Sequence, residues 1–235
     1  MPGVSGLIKV GHKGADHVAP GNTIESFDAA LECGVDMIEF DVLRLRDGRL
    51  VLAHDYEDAA KRDPLTLDEG LDHFAAGEAY GHVQLDVDLK LPGYEEEVVE
   101  GLRSRGLDGA ALISSHYLGS LAKVGKLAPG LRRGWSVPKV KRDYTKNYLL
   151  AVPAYGVVQI LRARIPGQAA RAIREGRCDA LMANRLLVTR RLVSAVHGAG
   201  GQLYVWTVDD ARQIARMEEL GADAVITNDP RLFRA

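Results

Sequence analysis

The chain has 235 residues, 46% of them hydrophobic, which is enough to bury the core of one large domain. Its 30 basic and 32 acidic side chains give a net charge of −2. This charge argues against a protein that binds nucleic acid or a membrane surface through its overall electrostatic field. Residues 1–6 lack the cationic start of a signal peptide, and no apolar run approaches the roughly 18 residues of a membrane span. We therefore expect one cytoplasmic domain over residues 1–235, without an integral membrane segment.

The first third of the chain alternates apolar strands with an amphipathic helix. A short apolar strand ends at Gly11, and the sequence Asn22-Thr23-Ile24-Glu25 predicts the capped start of a helix that precedes the next strand. The turn at residues 46–49 predicts a local hairpin that brings His54 back beside that strand. Residues 56–82 are polar and poorly periodic, so we expect a short loop insertion that contains a short helix.

The same alternation of strand and helix continues to the end of the chain. It is less regular over residues 139–176, where we expect one or two helices with Pro153 and Pro166 as breakers. Eight strands are predicted in all, starting at Leu7, Met37, Val83, Ala110, Leu131, Ala180, Leu203 and Ala224.

Eight strands joined by helical crossovers in this length predict an α/β fold, a closed (β/α)8 TIM barrel. An open eight-stranded sheet is the alternative. The barrel is favoured because no glycine-rich dinucleotide fingerprint follows the first strand. Polar residues also end nearly every strand, and in a barrel those ends meet at one mouth, where active sites lie.

Three carboxylates are expected near this mouth. Period-2 geometry turns Glu39 and Asp41 to one face of their strand, and Asp88 ends the next one. Such close like charges repel unless a cation holds them, and ligands that are all oxygens predict Mg²⁺ or Ca²⁺ in preference to zinc. A salt-bridge or capping role is the alternative for each acid. Asp86 competes with Asp88 but lies one layer deeper in the barrel.

Two histidines and two lysines follow strands as well. His12 and His54 suit general acid and general base catalysis near neutral pH. Lys13 and Lys90 could hold the oxygens of a phosphate-like anion. The alternative is a histidine that satisfies a loop carbonyl, or a lysine that faces solvent. Among the aromatic residues, Trp206 is the plausible substrate contact.

Seven short motifs along the chain resemble those of one family. They are Gly11-His12-Lys13-Gly14-Ala15, Pro20-Gly21-Asn22-Thr23, Glu39-Phe40-Asp41, His54-Asp55, Asp88-Leu89-Lys90, Val205-Trp206-Thr207-Val208 and residues 221–230. These motifs are similar to those of the glycerophosphodiester phosphodiesterases, and they extend over nearly the whole chain. The first block, with its pieces in order and at family-like spacing, is the most specific.

The resemblance implies a (β/α)8 barrel that hydrolyses a small-molecule phosphodiester, such as glycerophosphocholine, to glycerol 3-phosphate and an alcohol with a divalent cation. Carried over position by position, it implies that Glu39, Asp41 and Asp88 would hold the metal. It also implies that His12 and His54 would be the acid/base pair and that Lys90 would contact the phosphate. We expect Lys13 and Trp206 to assist in substrate binding.

Three positions depart from the family pattern. Gly21 stands where the family has glutamate, Lys13 where it has arginine, and Asp88 where it has glutamate. The aspartate also resembles the distantly related phospholipase D enzymes of spider venoms. Two alternatives to the glycerophosphodiesterase therefore stay open. One is a lysophospholipase D-type lipid phosphodiesterase, and the other is a catalytically weakened barrel that binds a phosphorylated ligand.

Overall fold

The computed structural model describes residues 6–139 and 151–234. Within them, β1 and β9 close a sheet, because β1 pairs in parallel with both β2 and β9. Only β3 is antiparallel, and it pairs with β2 as the expected hairpin. The closed (β/α)8 barrel is confirmed. The strands are β1 (Ile8–Gly11), β2 (Met37–Arg44), β3 (Leu50–Leu52), β4 (Gln84–Leu89), β5 (Ala111–Ser115), β6 (Arg132–Val137), β7 (Ala180–Asn184), β8 (Gln202–Trp206) and β9 (Ala224–Thr227).

Helices connect consecutive barrel strands. They are α1 (Ile24–Cys33), α2 (Tyr56–Ala59), α3 (Leu67–Ala76), α4 (Glu95–Ser104), α5 (Leu118–Leu127), α6 (Ala151–Arg174), α7 (Arg190–His197) and α8 (Ala211–Leu220). Residues 56–82 thus contain the crossover helix α3, which Thr66 and Glu69 start with a reciprocal capping box. None of the described helices combines the length and apolarity that crossing a bilayer requires.

The described part of the irregular region forms one helix, α6, which agrees with the expected one or two helices. The expectation that Pro153 and Pro166 act as breakers is wrong, because α6 continues through both. Pro166 lies mid-helix and is buried, and the neighbouring Ile165 belongs to the hydrophobic core. Packing of this part of α6 can therefore outweigh the hydrogen bond that proline does not make. The part of the irregular region at residues 140–150 lies outside the described residues.

The strand register sets the depth of each inward-facing side chain. Glu39 of β2 is in register with Asp86 of β4, and Asp41 is in register with Asp88. Below them, apolar side chains that include Met37 fill the interior of the barrel. Asp41 and Asp88 therefore share the layer nearest the mouth, while Asp86 lies one layer deeper, as expected.

Candidate active site

The structure brings together the three carboxylates that were predicted as metal ligands. One oxygen each from Glu39, Asp41 and Asp88 lies within 4.8 Å of the others, and all three residues are buried. A single ion can span oxygens at this spacing, and a donor set of carboxylates suits a hard divalent cation. The residues present therefore fit the metal that the sequence implies.

Electrostatics at this cluster also favour a cation. Burial and the neighbouring carboxylate of Asp41 raise the pKa of Glu39 well above its usual value. Burial also pushes the pKa of Asp41 upward, but attraction from Lys90 and His54 outweighs it, so the pKa of Asp41 is lowered. Positive charge thus already compensates part of the buried carboxylate charge.

Lys90 supplies most of that positive charge. Its Nζ lies 2.5 Å from Asp41 Oδ1 and 2.7 Å from Asp88 Oδ2. Burial alone would lower the pKa of Lys90, but the attraction of Asp41, Asp88 and Glu39 raises it. Lys90, which was predicted to contact a phosphate, is therefore held among the acids in this structure, and its ammonium links β2 to β4.

Asp86, the competing acid, does not belong to the cluster. It is 1% exposed, and neither carboxylate oxygen has a hydrogen-bond partner among the described residues. Burial raises its pKa to about 7. The register of β4 thus makes Asp88 the residue that faces the other two acids.

The loop after β1 folds over the end of β2 and fixes Glu39. The backbone N–H of Lys13 donates to Glu39 Oε2 at 2.9 Å, and that of Gly14 donates to the Glu39 carbonyl. Lys13 has a φ of 51°, which turns its N–H inward at some cost in backbone strain. Its ammonium lies 3.8 Å from a carboxylate oxygen of Asp16. Lys13 therefore shapes the site through its backbone as well as its charge.

Asn22 is a site residue that the sequence reasoning did not assign. Its Nδ2 donates to Asp41 Oδ2 at 2.9 Å, and the backbone N–H of Asp41 donates to Asn22 Oδ1 at 3.0 Å. Thr23, not Asn22, caps α1, which leaves the Asn22 amide free for this contact. Its fully buried side chain and its φ of 60° are typical of a residue held for a specific contact. The only sequence signal for this role was the presence of Asn22 and Thr23 in the Pro20-Gly21-Asn22-Thr23 motif.

His12 is oriented by hydrogen bonds behind it. Its Nδ1 lies 2.6 Å from Asn228 Oδ1, while Asn228 Nδ2 donates to Asp209 Oδ2 at 2.7 Å. Because the amide nitrogen serves Asp209, the amide oxygen accepts from His12, and the proton sits on Nδ1. The other ring nitrogen, Nε2, points to the carboxylates, 3.8 Å from Glu39 Oε2. Burial lowers the pKa of His12.

His54 reaches the mouth by a different route. It follows β3, whose last residue pairs with Val42, directly after Asp41. Its Nδ1 lies 3.1 Å from Asp55 Oδ2, and half of its side chain is exposed. Hydrogen bonds, first from the Asp58 backbone and then from His54, lower the pKa of Asp55, which therefore stays ionised beside the imidazole. His12 and His54 thus approach the acids from different elements, and His12 is the less exposed of the two.

Trp206 ends β8 at the same mouth and is partly exposed. Its indole Nε1 donates to the Met182 carbonyl at 2.9 Å, and its ring meets His116 edge-on with centroids 6.4 Å apart. The His116 Nδ1 in turn lies 2.8 Å from the Ser136 carbonyl. These contacts fix the indole plane as one side of the opening.

Gly21, which stands where the pattern quoted above has glutamate, has no room for a side chain. A Cβ there would lie 2.5 Å from Asp16 Oδ1 and 2.8 Å from Lys13 Cβ. The Gly21 N–H instead donates to Asp16 Oδ1 at 2.9 Å. The Asp16 carboxylate thus fills the space that a longer residue at position 21 would take.

The chain matches the model of the glycerophosphoryl diester phosphodiesterase family over residues 12–66 and 139–232, more than half of its length. It belongs to that family. The predictions of the family and of an enzyme of this class are therefore confirmed. Six of the eight predicted site residues lie in the matched segments, namely His12, Lys13, Glu39, Asp41, His54 and Trp206. Asp88 and Lys90 lie between the two segments, so their assignment depends on the geometry.

Curated relatives agree with this membership, and solved structures share the fold. A glycerophosphodiester phosphodiesterase of Caldanaerobacter subterraneus is 26% identical over 95% of this chain and 94% of its own length, and one of Bacillus altitudinis is 28% identical over 93% of each. A putative glycerophosphoryl diester phosphodiesterase of Silicibacter pomeroyi superposes with a TM-score of 0.74 at 20% identity, covering 100% of this chain and 93% of its own. An Oleispira antarctica phosphodiesterase in complex with the product sn-glycerol-3-phosphate gives 0.71 at 22% identity, covering 96% and 94%.

Proposed function

We propose that this barrel hydrolyses glycerophosphodiesters to sn-glycerol 3-phosphate and an alcohol, with the help of a divalent cation. The observation that carries the proposal is the convergence of Glu39, Asp41 and Asp88 beside two histidines at the mouth. The product held by the Oleispira antarctica phosphodiesterase, which has the same fold, supports this choice of substrate class.

Glu39, Asp41 and Asp88 would hold the ion, which is Mg²⁺ or Ca²⁺ because the ligands are all oxygens. When bound, the ion supplies positive charge that stabilises the phosphate oxygens as negative charge develops on them. Asn22 and the Lys13 backbone keep two of these carboxylates in place through their hydrogen bonds. The ligand geometry is thus supported by buried contacts that do not depend on the substrate.

The two histidines take opposite parts in the reaction. His12 presents an unprotonated Nε2 to the site, because Asn228 fixes the proton on Nδ1, so it accepts the proton of the attacking hydroxyl. The new P–O bond forms as the bond to the alcohol breaks. His54, beside the ionised Asp55, donates a proton to the departing alkoxide. The attacking hydroxyl is that of water or of the substrate itself, which would first give a cyclic phosphate.

Three further residues contact the substrate in this proposal. Lys90 neutralises a phosphate oxygen from its place between Asp41 and Asp88. Lys13 adds a second positive charge from the loop after β1. Trp206, fixed by its bond to Met182, contacts the apolar part of the substrate.

The test is turnover of glycerophosphocholine and bis(p-nitrophenyl) phosphate with Mg²⁺, Ca²⁺ or Mn²⁺, and with a chelator. We expect glycerol 3-phosphate to form with metal and not with the chelator. Metal-independent turnover would contradict the ligand assignment. Binding of glycerol phosphate without turnover under every condition would instead favour the weakened barrel.

A further inference from the structure

The segment that carries His54 has no buried residue. Residues 54–63, called the His54 segment below, follow β3 and contain the short helix α2. Its main apolar contact is that of Ala59, which packs in part against a small cluster on the hairpin of β2 and β3. A segment without buried side chains is held in place chiefly by polar contacts. The position of His54 therefore depends on hydrogen bonds.

Hydrogen bonds within the His54 segment fix His54 relative to α2. The His54 N–H donates to Asp58 Oδ2 at 3.1 Å, and the Asp58 N–H donates to Asp55 Oδ1 at 2.9 Å. The other carboxylate oxygen of Asp55 lies 3.1 Å from His54 Nδ1. The backbone and the imidazole of His54 are thus both bonded to the first turn of α2. A shift of this turn would move the imidazole with it.

Arg62 connects the His54 segment to the barrel. Its Nη2 donates to the Leu52 carbonyl at 3.3 Å and lies 3.5 Å from Asp58 Oδ2, the oxygen that accepts from His54. Its Nη1 donates to the Asn22 carbonyl at 3.4 Å. In the part of the chain that the structure describes, these two bonds of Arg62 are the hydrogen bonds that leave the segment. The charge of the guanidinium strengthens them relative to bonds from a neutral donor.

The bond to Asn22 places Arg62 beside the acidic cluster. The side chain of Asn22 holds Asp41, and its N–H donates to the Lys13 carbonyl at 3.0 Å. Asn22 is therefore a well-fixed point of attachment. One edge of the guanidinium meets the loop that orients a carboxylate, and the other edge meets the turn that orients His54. A planar group with five donors suits this double contact, whereas the single ammonium of a lysine does not.

We propose that Arg62 is a positioning residue that holds His54 at a fixed distance from the three carboxylates. Without it, the His54 segment would occupy other positions, and the imidazole would lie less often within hydrogen-bond reach of the leaving oxygen. The inference rests on the proposed phosphodiesterase function, since it concerns the proton that His54 donates there. Arg62 itself is assigned no contact with the substrate or the ion and acts through His54.

The test compares two substrates that differ in their need for this proton. Glycerophosphocholine releases a basic alkoxide, whereas bis(p-nitrophenyl) phosphate releases p-nitrophenolate, which is stable as an anion. Arg62→Gln should lower kcat about tenfold or more for the first substrate and less than about threefold for the second. Arg62→Lys should recover only part of the loss. Arg49→Gln removes the same charge from an exposed pair with Asp47, so it is the matched control and should change neither rate.

A double variant shows whether Arg62 acts through His54. Adding Arg62→Gln to His54→Ala should cause little further loss of glycerophosphocholine turnover, because the imidazole that Arg62 positions is already absent. Metal affinity, measured by calorimetry, should stay near that of the wild type in Arg62→Gln, since Asn22 keeps its bond to Asp41. Losses that multiply in the double variant, or an equal loss on both substrates in Arg62→Gln, would overturn the proposal.

Hydrogen exchange, measured without substrate, tests the contact independently of turnover. Arg62→Gln should speed exchange at the amides of His54 and Ala59 about threefold or more relative to the wild type and Arg49→Gln. The unfolding temperature should stay close to that of the wild type, because the His54 segment buries no residue. Unchanged exchange would overturn the proposal even in an active hydrolase. Inactivity of the wild type toward both substrates would instead contradict the proposed function, and exchange would still show whether Arg62 holds the segment.

Discussion

Asn22 and Asp41 hold each other through two buried hydrogen bonds, one from amide to carboxylate and one from backbone to amide oxygen. We expect Asn22→Gly to weaken metal binding and turnover together, because Asp41 loses the partner that orients it. Loss of a buried hydrogen bond should lower the free energy of unfolding by about 1–3 kcal/mol. Isothermal calorimetry and denaturant unfolding measure the two effects.

The matched variant is Asn22→Ala. Glycine accepts a φ of 60° without strain and alanine does not, so the difference between the variants isolates the backbone cost. Metal affinity equal to the wild type in both would show that Asn22 does not position Asp41.

Glu39→Gln should lower metal affinity and turnover in parallel. The amide keeps the size of the side chain and removes the charge that a hard cation prefers. Calorimetric titration with Mg²⁺ and Ca²⁺ measures the affinity, and Glu97→Gln, on the exposed surface, is the control. Undiminished metal binding would mean that Glu39 is not a ligand.

His12→Ala and His54→Ala should each reduce turnover by about 100-fold or more, since general acid–base catalysis contributes on that scale. Metal affinity should remain near that of the wild type, because neither imidazole is assigned to the ion. His82→Ala, exposed before β4 at the opposite end of the barrel, should have no effect. Rates close to normal would remove that histidine from the mechanism.

Lys90→Met should destabilise the metal-free protein by about 3 kcal/mol, because it leaves two buried carboxylates without their cation. A divalent ion should restore more stability to this variant than to the wild type, since binding to the native state adds directly to its stability. Thermal unfolding with and without Mg²⁺ measures the difference. Lys61→Met, which breaks an exposed pair with Glu57, is the control. An equal stabilisation by Mg²⁺ of the wild type and both variants would contradict the assignment of Lys90 as the cation that offsets these carboxylates.

Gly21→Glu should lower the free energy of unfolding by about 1–3 kcal/mol, because the new side chain collides with Asp16 and Lys13. Asp16→Ala in the same chain should recover part of the loss, since it frees the space beside position 21. Gly109→Glu, where a side chain meets open space, is the matched control. A penalty that Asp16→Ala does not reduce would show that the carboxylate is not the obstacle.

Sequence periodicity predicted the barrel well because its strands and helices depend on local patterns. All eight predicted strand starts lie within one residue of those observed, and the hairpin returns His54 as its turn predicted. Pro166 misled the prediction, because packing of α6 on the barrel overrides a local breaker. Such an effect depends on distant residues and leaves no periodic signal.

At the site, the sequence predicted which residues meet but not how they bond. Period 2 placed Glu39 and Asp41 on one face, and the register of β4 completed the cluster. The pairing of Asn22 with Asp41, across 19 positions, and the bond of Asn228 to His12, across 216, depend on loop conformations. Lys90 was expected to face a phosphate, and only the folded geometry reveals its position among the acids.

The hairpin of β2 and β3 carries His54 outside the ring of parallel strands. Closure of the ring depends on the pairing of β1 with β2 and β9, and β3 takes no part in it. His54, the residue assigned to protonate the leaving group, can therefore be shifted or replaced by changes in β3 and the residues that follow it, while the barrel stays intact. A change of preference for the leaving alcohol could thus arise at β3 and the residues after it without any change to the three carboxylates.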